Sequence, residues 1–147
     1  MAVVSLVGFA LRVGYVLVFR QSRVPMGNDS FFYSGGANLL AQGHGFIQPY
    51  VFALTGSVEQ AADHPPLYLL WLSVASVVDP AQSTSQITHM LWSCVLGAGT
   101  VVLCGLLGRR VAGPRAGLVA AVVAAVYPNL WVHDGMLLAE TMSIFTV

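Results

Sequence analysis

Lysine is absent from this chain, and charged residues of any kind are few. Of its 147 residues, 56% are hydrophobic and only 8% are charged, and the formal net charge is zero. Because about a quarter of the residues in soluble domains are charged, this composition argues against a soluble domain and predicts a membrane protein. The six basic residues, all arginine, form no basic stripe, so we expect no nucleic-acid partner.

Cysteine is also scarce. Cys94 and Cys104 are the only two, and both lie in one apolar run. Ten residues of helix extend about 15 Å, which is much too far for a disulfide between them. We therefore expect both to be packing residues.

Long apolar runs predict an all-α, polytopic transmembrane protein with four membrane helices. The first run, at residues 2–19, would form a helix of about 27 Å, close to the ~30 Å of the hydrocarbon core. Further spans are predicted at 86–107 and 116–131, and a fourth at 138–147. Since the last run stops without a polar end, we expect it to be truncated and the chain to be the N-terminal part of a larger protein.

A cleaved signal peptide is the alternative interpretation of the first run. Arg12, however, falls where the apolar centre of a signal peptide should be. The sequence also has neither a basic start nor a small-residue cleavage site there. We therefore interpret the run as a spanning helix.

Residues 20–85 are predicted to form a long outer loop that carries two short helices. Asp29 and its neighbours suit a helix start and Gly43 a helix stop, which predicts a helix at 30–41. A second helix, at 65–78, opens with two prolines. Its apolar part would reach only about 18 Å, so an interfacial or re-entrant position suits it better than a span.

Arginine in the turn between the second and third predicted spans gives the orientation. Arg109, Arg110 and Arg115 lie there, and short positive loops favour the cytoplasmic side. The long first loop is then extracytoplasmic, as expected for a multi-pass protein of the plasma membrane whose site faces outward. Arg20 and Arg23 lie on that outer side too, against the same tendency.

Three acidic positions are predicted to meet at the outer face. They are Asp29 after the first span, Asp63 with His64 before the second short helix, and Glu140 at the start of the fourth span. An acid near membrane depth is costly without a partner or a function, and Glu140 lies in an apolar run. Plainer interpretations are an N-cap for Asp29, a solvated helix start for Asp63, and a carboxylate favoured by the helix dipole for Glu140.

A set of motifs covers nearly the whole chain. After the first span come GNDSFFYSGGANLLAQGHGF, then ADHPPLYLLW, then two spans joined by a basic turn, and then LLAET. In this order they resemble the multi-spanning GT-C glycosyltransferases that use polyprenyl-phosphate sugars, such as the protein O-mannosyltransferases and the lipid A aminoarabinose transferase of glycosyltransferase family 39. The resemblance implies a membrane enzyme that moves a mannose-like sugar to a hydroxyl of an extracytoplasmic glycan, lipid or protein.

The resemblance also implies roles for individual residues. Asp29 matches the catalytic acid of the first outer loop, and Glu140 matches a second acid. Family members often have Asp-Glu where this chain has Asp29-Ser30, and often Asp where it has Glu140. Asp63, with His64, matches a position that helps to hold the donor phosphate or a metal in some members. Candidate ligands for a divalent metal ion are Asp63, His64, His133 and Asp134; an interfacial turn is the alternative for the last two.

One well-placed carboxylate suffices for this chemistry. A lipid phosphate leaves as a stable anion, so it does not need the acid that a glycosidase supplies to its leaving group. Asp29 can therefore act as a general base on the acceptor hydroxyl, whose oxygen attacks the anomeric carbon with inversion. Candidates for binding the phosphate are Arg12, Arg20 and Arg23, for which contact with lipid headgroups is the alternative.

Two other functions stay open at this point. A transporter would use ionisable groups near the bilayer midplane, whereas here they cluster at one face and only Arg12 is deep. A non-catalytic membrane domain is the other alternative. We expect the 147 residues alone to be inactive, because acceptor-binding parts of such enzymes lie further along the chain.

Overall fold

The regular elements of the described chain are all helices. A computed structural model describes residues 1–20, 28–78 and 86–147, without the side chain of residue 28. The helices are α1 (Ala2–Tyr15), α2 (Asn28–Ala41), α3 (Pro49–Thr55), α4 (Pro66–Val78), α5 (Ile87–Val126) and α6 (Glu140–Thr146). The predicted all-α class is therefore confirmed for these ranges.

Two of these helices are long and apolar enough to cross a membrane. α1 continues through a π-helical turn, Val16–Arg20, so that the first apolar helix extends from Ala2 to Arg20 over 19 residues. The other is α5, whereas α4 is apolar but shorter. Length and composition thus support membrane association; the four spans and the side that each loop faces stay predictions.

α5 is a hairpin of two arms. Its backbone departs from helical geometry at Ala112 (φ −136°, ψ 17°) and Gly113 (φ 87°, ψ −179°). The two arms on either side of this break pack against each other. A Cβ on Gly105 of the first arm would lie 3.0 Å from the Cβ of Ala121 in the second arm. A Cβ on Gly117 would lie 2.6 Å from the carbonyl oxygen of Gly105. Because glycine has no side chain, the two backbones can approach closely at these positions. The sequence was interpreted as two spans joined by a tight turn in this region.

The second arm of α5 ends at Val126, before the end at 131 that the apolar run predicted for the third span. Tyr127 is extended (ψ 114°), as residues before proline tend to be, and Pro128 follows it. The chain then forms two 3₁₀ turns, Pro128–Leu130 and Val132–Gly135, before α6 begins at Glu140. Proline therefore ends the helix earlier than hydropathy alone indicated.

The predicted short helices of the outer loop are present as α2 and α4. α2 ends where Gly43 adopts φ 86°. The N–H of His44 donates to the carbonyl of Leu39, and that of Gly43 donates to the carbonyl of Leu40, both at 3.0 Å. This pair of bonds is the Schellman motif for which glycine is favoured. α4 has 13 residues and begins at Pro66.

α3 lies in a stretch for which the sequence predicts a loop without a helix. Pro49 occupies its first turn, and Gly56 ends it at φ 71°. Beside it, Gln48 donates its N–H to the carbonyl of Glu59 at 2.8 Å, and Ala61 donates to Phe46 at 3.1 Å. Residues 46–61 are therefore folded back on themselves around α3.

The core forms where α1 packs on α5 and α2 packs on α4. Phe32, Tyr68, Leu72 and Met90 are buried in its larger cluster together with Cys94. Cys94 and Cys104 are both free thiols, as their spacing indicated.

Candidate functional site

The structure brings Asp29, Asp63 and His64 together at the start of α2. Asp29 lies in the first turn of that helix, and its side chain is 58% exposed. Its Oδ1 is 3.5 Å from Nε2 of His64, while Oδ2 of Asp63 is 3.4 Å from Nδ1 of the same ring. One imidazole therefore lies between two exposed carboxylates, one from the first turn of α2 and one from the segment before α4.

The His64 ring is held by aromatic side chains of the core. It stacks on Phe32 with ring centroids 3.8 Å apart, and it meets Tyr33 edge-on at 5.2 Å. Tyr33 in turn packs edge-on against Tyr68 at 5.0 Å, and the Tyr68 hydroxyl is 2.8 Å from Oγ of Ser93. The imidazole is thus held by Phe32 and Tyr33 on its core side, while the carboxylates on either side of it face solvent.

The charge of Glu140 acts on Tyr33, the residue that contacts the His64 ring. Burial, followed by the negative charges of Asp29, Glu140 and Asp63, raises the pKa of the Tyr33 phenol to about 12. Glu140 itself is exposed in the first turn of α6. All three acids that the sequence predicted to converge therefore lie close enough to act on one phenol.

A contact between α2 and the segment before α6 explains this proximity. Oγ of Ser30 donates a hydrogen bond to the carbonyl oxygen of Met136. The next residue, Leu137, is fully buried and has φ 52°, which is uncommon for a residue other than glycine. This buried anchor ties α2 to the backbone just before α6, in whose first turn Glu140 lies.

The arginines predicted to bind phosphate differ in their surroundings. Arg12 is fully buried, with its Nε 3.1 Å from Oδ2 of Asp134, so it offers no exposed surface to a phosphate. Arg20 is 6% exposed, and its Nε donates to the carbonyl of Gly135 at 2.7 Å. Its Nη2 has no hydrogen-bond partner among the described residues. Arg23 lies outside the described residues.

The Arg12–Asp134 pair is part of a buried polar cluster. The guanidinium also donates to the carbonyl of Ala124 at 3.4 Å, and Thr141 donates to Oδ1 of Asp134 at 3.1 Å. Gly97 borders the pair, and a Cβ there would overlap both Arg12 and Asp134. Sequence reasoning missed this pair; the available signal was a charge in the middle of an apolar run, which is costly unless it has a partner.

The described residues do not fit a metal ion. They contain no group of three or more His, Cys, Asp or Glu side chains that could hold one. The candidates Asp63, His64, His133 and Asp134 therefore do not form one ligand set. Asp134 is instead bound to Arg12 and Thr141.

A buried histidine, His89, joins the helices beneath the site. Nδ1 of His89 is 2.9 Å from Oγ of Ser34 on α2, and its Nε2 is 2.8 Å from Oγ of Ser76 on α4. Ser76 also donates to Oδ1 of Asn38 at 2.8 Å. Because these residues form no recognisable motif, no sequence pattern predicted this network, which ties α2, α4 and α5 together.

Comparisons with known proteins return no relative. No family model, no curated protein and no solved structure matches the chain. What the site can do therefore follows from its own residues. An exposed carboxylate held beside an imidazole and a second acid can accept a proton from a hydroxyl group.

Proposed function

We propose that this chain belongs to a polytopic membrane glycosyltransferase of the GT-C type. It would transfer a sugar from a polyprenyl-phosphate donor to a hydroxyl group on the extracytoplasmic side, with inversion. The observation that carries the proposal is the exposed carboxylate of Asp29, 3.5 Å from His64 at the start of α2. The motifs around Asp29, Asp63 and Glu140 support the same function.

In this mechanism Asp29 is the general base. It takes the proton of the acceptor hydroxyl while that oxygen forms a bond to the anomeric carbon, and the lipid phosphate leaves with the electron pair of the broken bond. His64 orients the carboxylate, and Glu140 adds negative charge nearby. Arg12 and Arg20 are both buried, so Arg23, which follows the first apolar helix in the sequence, is our candidate for binding the departing phosphate.

For this mechanism we propose a membrane arrangement with four crossings. α1, the two arms of α5 and a helix starting with α6 would be the spans, with α4 lying at the interface. The 13 residues of α4 reach about 20 Å, which is short of the ~30 Å hydrocarbon core. The loop that carries Asp29 and His64 would then face outward, where lipid-linked sugars are presented to external acceptors.

Cysteine labelling tests this orientation. In a variant with Cys94 and Cys104 replaced by Ala, Ser57→Cys should react with an impermeant thiol reagent on intact cells and Ala112→Cys should not, because the arginine-rich turn favours the cytoplasm. Both positions are exposed, so both should react once the cells are permeabilised. The reverse pattern on intact cells would place Asp29 on the cytoplasmic side and contradict the proposed orientation.

A transfer assay tests the function itself. Membranes that carry the full-length protein are given polyprenyl-phosphate sugars with a labelled sugar, and wild type should release one polyprenyl phosphate for each sugar transferred. At equal abundance in the membrane, the Asp29→Asn variant should transfer far less sugar and release correspondingly little polyprenyl phosphate. Transport of the intact lipid-linked sugar across the bilayer without cleavage would instead support the transporter alternative and exclude the transferase.

A further inference from the structure

We propose that Phe31 and Tyr50 form an aromatic platform that binds the pyranose ring of a sugar beside Asp29. The platform rests on the proposed function for the class of its ligand and adds a binding surface to it. Donor and acceptor sugars share the chemistry that such a platform recognises, namely an apolar C–H face bordered by hydroxyl groups.

Phe31 is exposed where its neighbours are buried. The ring of Phe31 is 40% exposed, whereas Phe32 and Tyr33 are each only 3% exposed. Packing in the core therefore accounts for the second and third aromatic residues of this run and leaves the first one unexplained. Phe31 also lies two residues after Asp29, in the same part of α2.

Tyr50 extends the surface from α3. Its ring packs against Phe31 with centroids 4.6 Å apart and an interplanar angle of 32°. Burial, with the charge of Asp29 adding to it, raises the pKa of Tyr50. The Asp29 carboxylate thus lies within electrostatic reach of this aromatic pair. Aromatic side chains next to a few oriented polar groups are a usual lining of small-ligand sites.

The helices that carry the platform pack closely on each other. A Cβ on Gly35 would lie 3.1 Å from Cβ of Pro49, so α3 sits directly on the backbone of α2. The N–H of Gln48 bonds to the carbonyl of Glu59 at 2.8 Å and fixes the start of the same helix. The Tyr50 ring is therefore positioned before any ligand arrives, which reduces the entropic cost of binding.

Sugar binding can be measured without any turnover. The full-length protein, in a detergent without a sugar head group, is titrated with methyl α-mannopyranoside and methyl β-glucopyranoside, and saturation-transfer NMR reports contact. Wild type should bind at least one of these probes and should not bind mannitol, which has no ring. Phe31→Ala and Phe31→Leu should each weaken binding by about tenfold, as the loss of an aromatic contact predicts. Phe31→Trp should retain it.

Phe31→Leu separates ring stacking from simple packing, because it keeps an apolar side chain. Tyr127→Ala is the matched control, since Tyr127 is a half-exposed aromatic residue (50%) outside the site, and this variant should bind like wild type. Undiminished binding by Phe31→Leu, or no pyranoside binding by wild type, would overturn the platform.

Kinetics then distinguish the two sources of the sugar. A higher KM for the lipid-linked donor in Phe31→Leu assigns the platform to the donor, and a higher KM for the acceptor assigns it to the acceptor. If wild type binds pyranosides through Phe31 but transfers no sugar, the proposed transferase function fails and the platform stands. If transfer occurs and the Phe31 variants bind and react like wild type, the platform fails alone.

Discussion

Replacing Asp29 by asparagine is expected to slow sugar transfer by about 10²- to 10⁴-fold, the usual contribution of a general base. Asparagine caps a helix start about as well as aspartate, so α2 should still form. The side chain is also more than half exposed, so little packing is lost. The variant should therefore insert and fold normally, and the defect should be in the rate of single-turnover transfer at saturating donor.

Asp63→Asn is the matched control for this change. It removes the same charge from the other side of His64, at a similar exposure of 54%. If Asp29 acts as the base, Asp63→Asn should lose much less activity than Asp29→Asn. Near wild-type transfer by Asp29→Asn would reduce Asp29 to a helix cap. Equal losses in both variants would contradict a special role of Asp29 as base and indicate either a shared effect of local charge or a separate role of Asp63 in holding the donor.

Breaking the Arg12–Asp134 pair is expected to lower the free energy of unfolding more than any other substitution proposed for this protein. Either Arg12→Leu or Asp134→Leu leaves one buried group without its partner, which typically costs about 3–5 kcal/mol. Both side chains are almost completely buried, at 0% and 1% exposure, so solvent does little to offset the loss. The free energy of unfolding in mixed micelles, obtained by denaturant titration, measures the change.

The double variant Arg12→Leu/Asp134→Leu tests whether the two residues act as a pair. Replacing both charges with apolar groups removes the buried ions altogether, and such replacements are often neutral or stabilising. We therefore expect the double variant to be more stable than either single variant and close to wild type. A double variant that loses the sum of the two single effects would show that the residues are not coupled.

Local signals in the sequence predicted much of the fold around the site. Apolar length indicated α1 and the short α4, and Gly43 indicated the end of α2 because its left-handed backbone suits glycine. Asp29, Asp63 and His64 were expected to meet, and the structure brings them together. These signals are local or repeat with a helical period, which is why they can be read without knowing the tertiary contacts.

The missed features all depend on contacts between distant parts of the chain. Nothing near Arg12 in the sequence specifies Asp134, which lies beyond the whole of α5. Likewise, Tyr50 reaches Phe31 only because α3 packs on α2. α3 itself was overlooked because its 7 residues are too few to show a helical period. Tertiary packing, rather than propensity, decides such short helices.

Gly97 makes the evolutionary history of this core depend on the order of substitutions. Because a Cβ at this position would overlap both ions of the buried pair, alanine at position 97 requires at least one of the two side chains to shift. Gly97→Ala should harm the wild-type protein and be harmless once both charges are leucine. A lineage with glycine at position 97 can therefore acquire the pair at a lower cost in stability than a lineage with alanine there, and once the pair is established, larger residues at position 97 become costly.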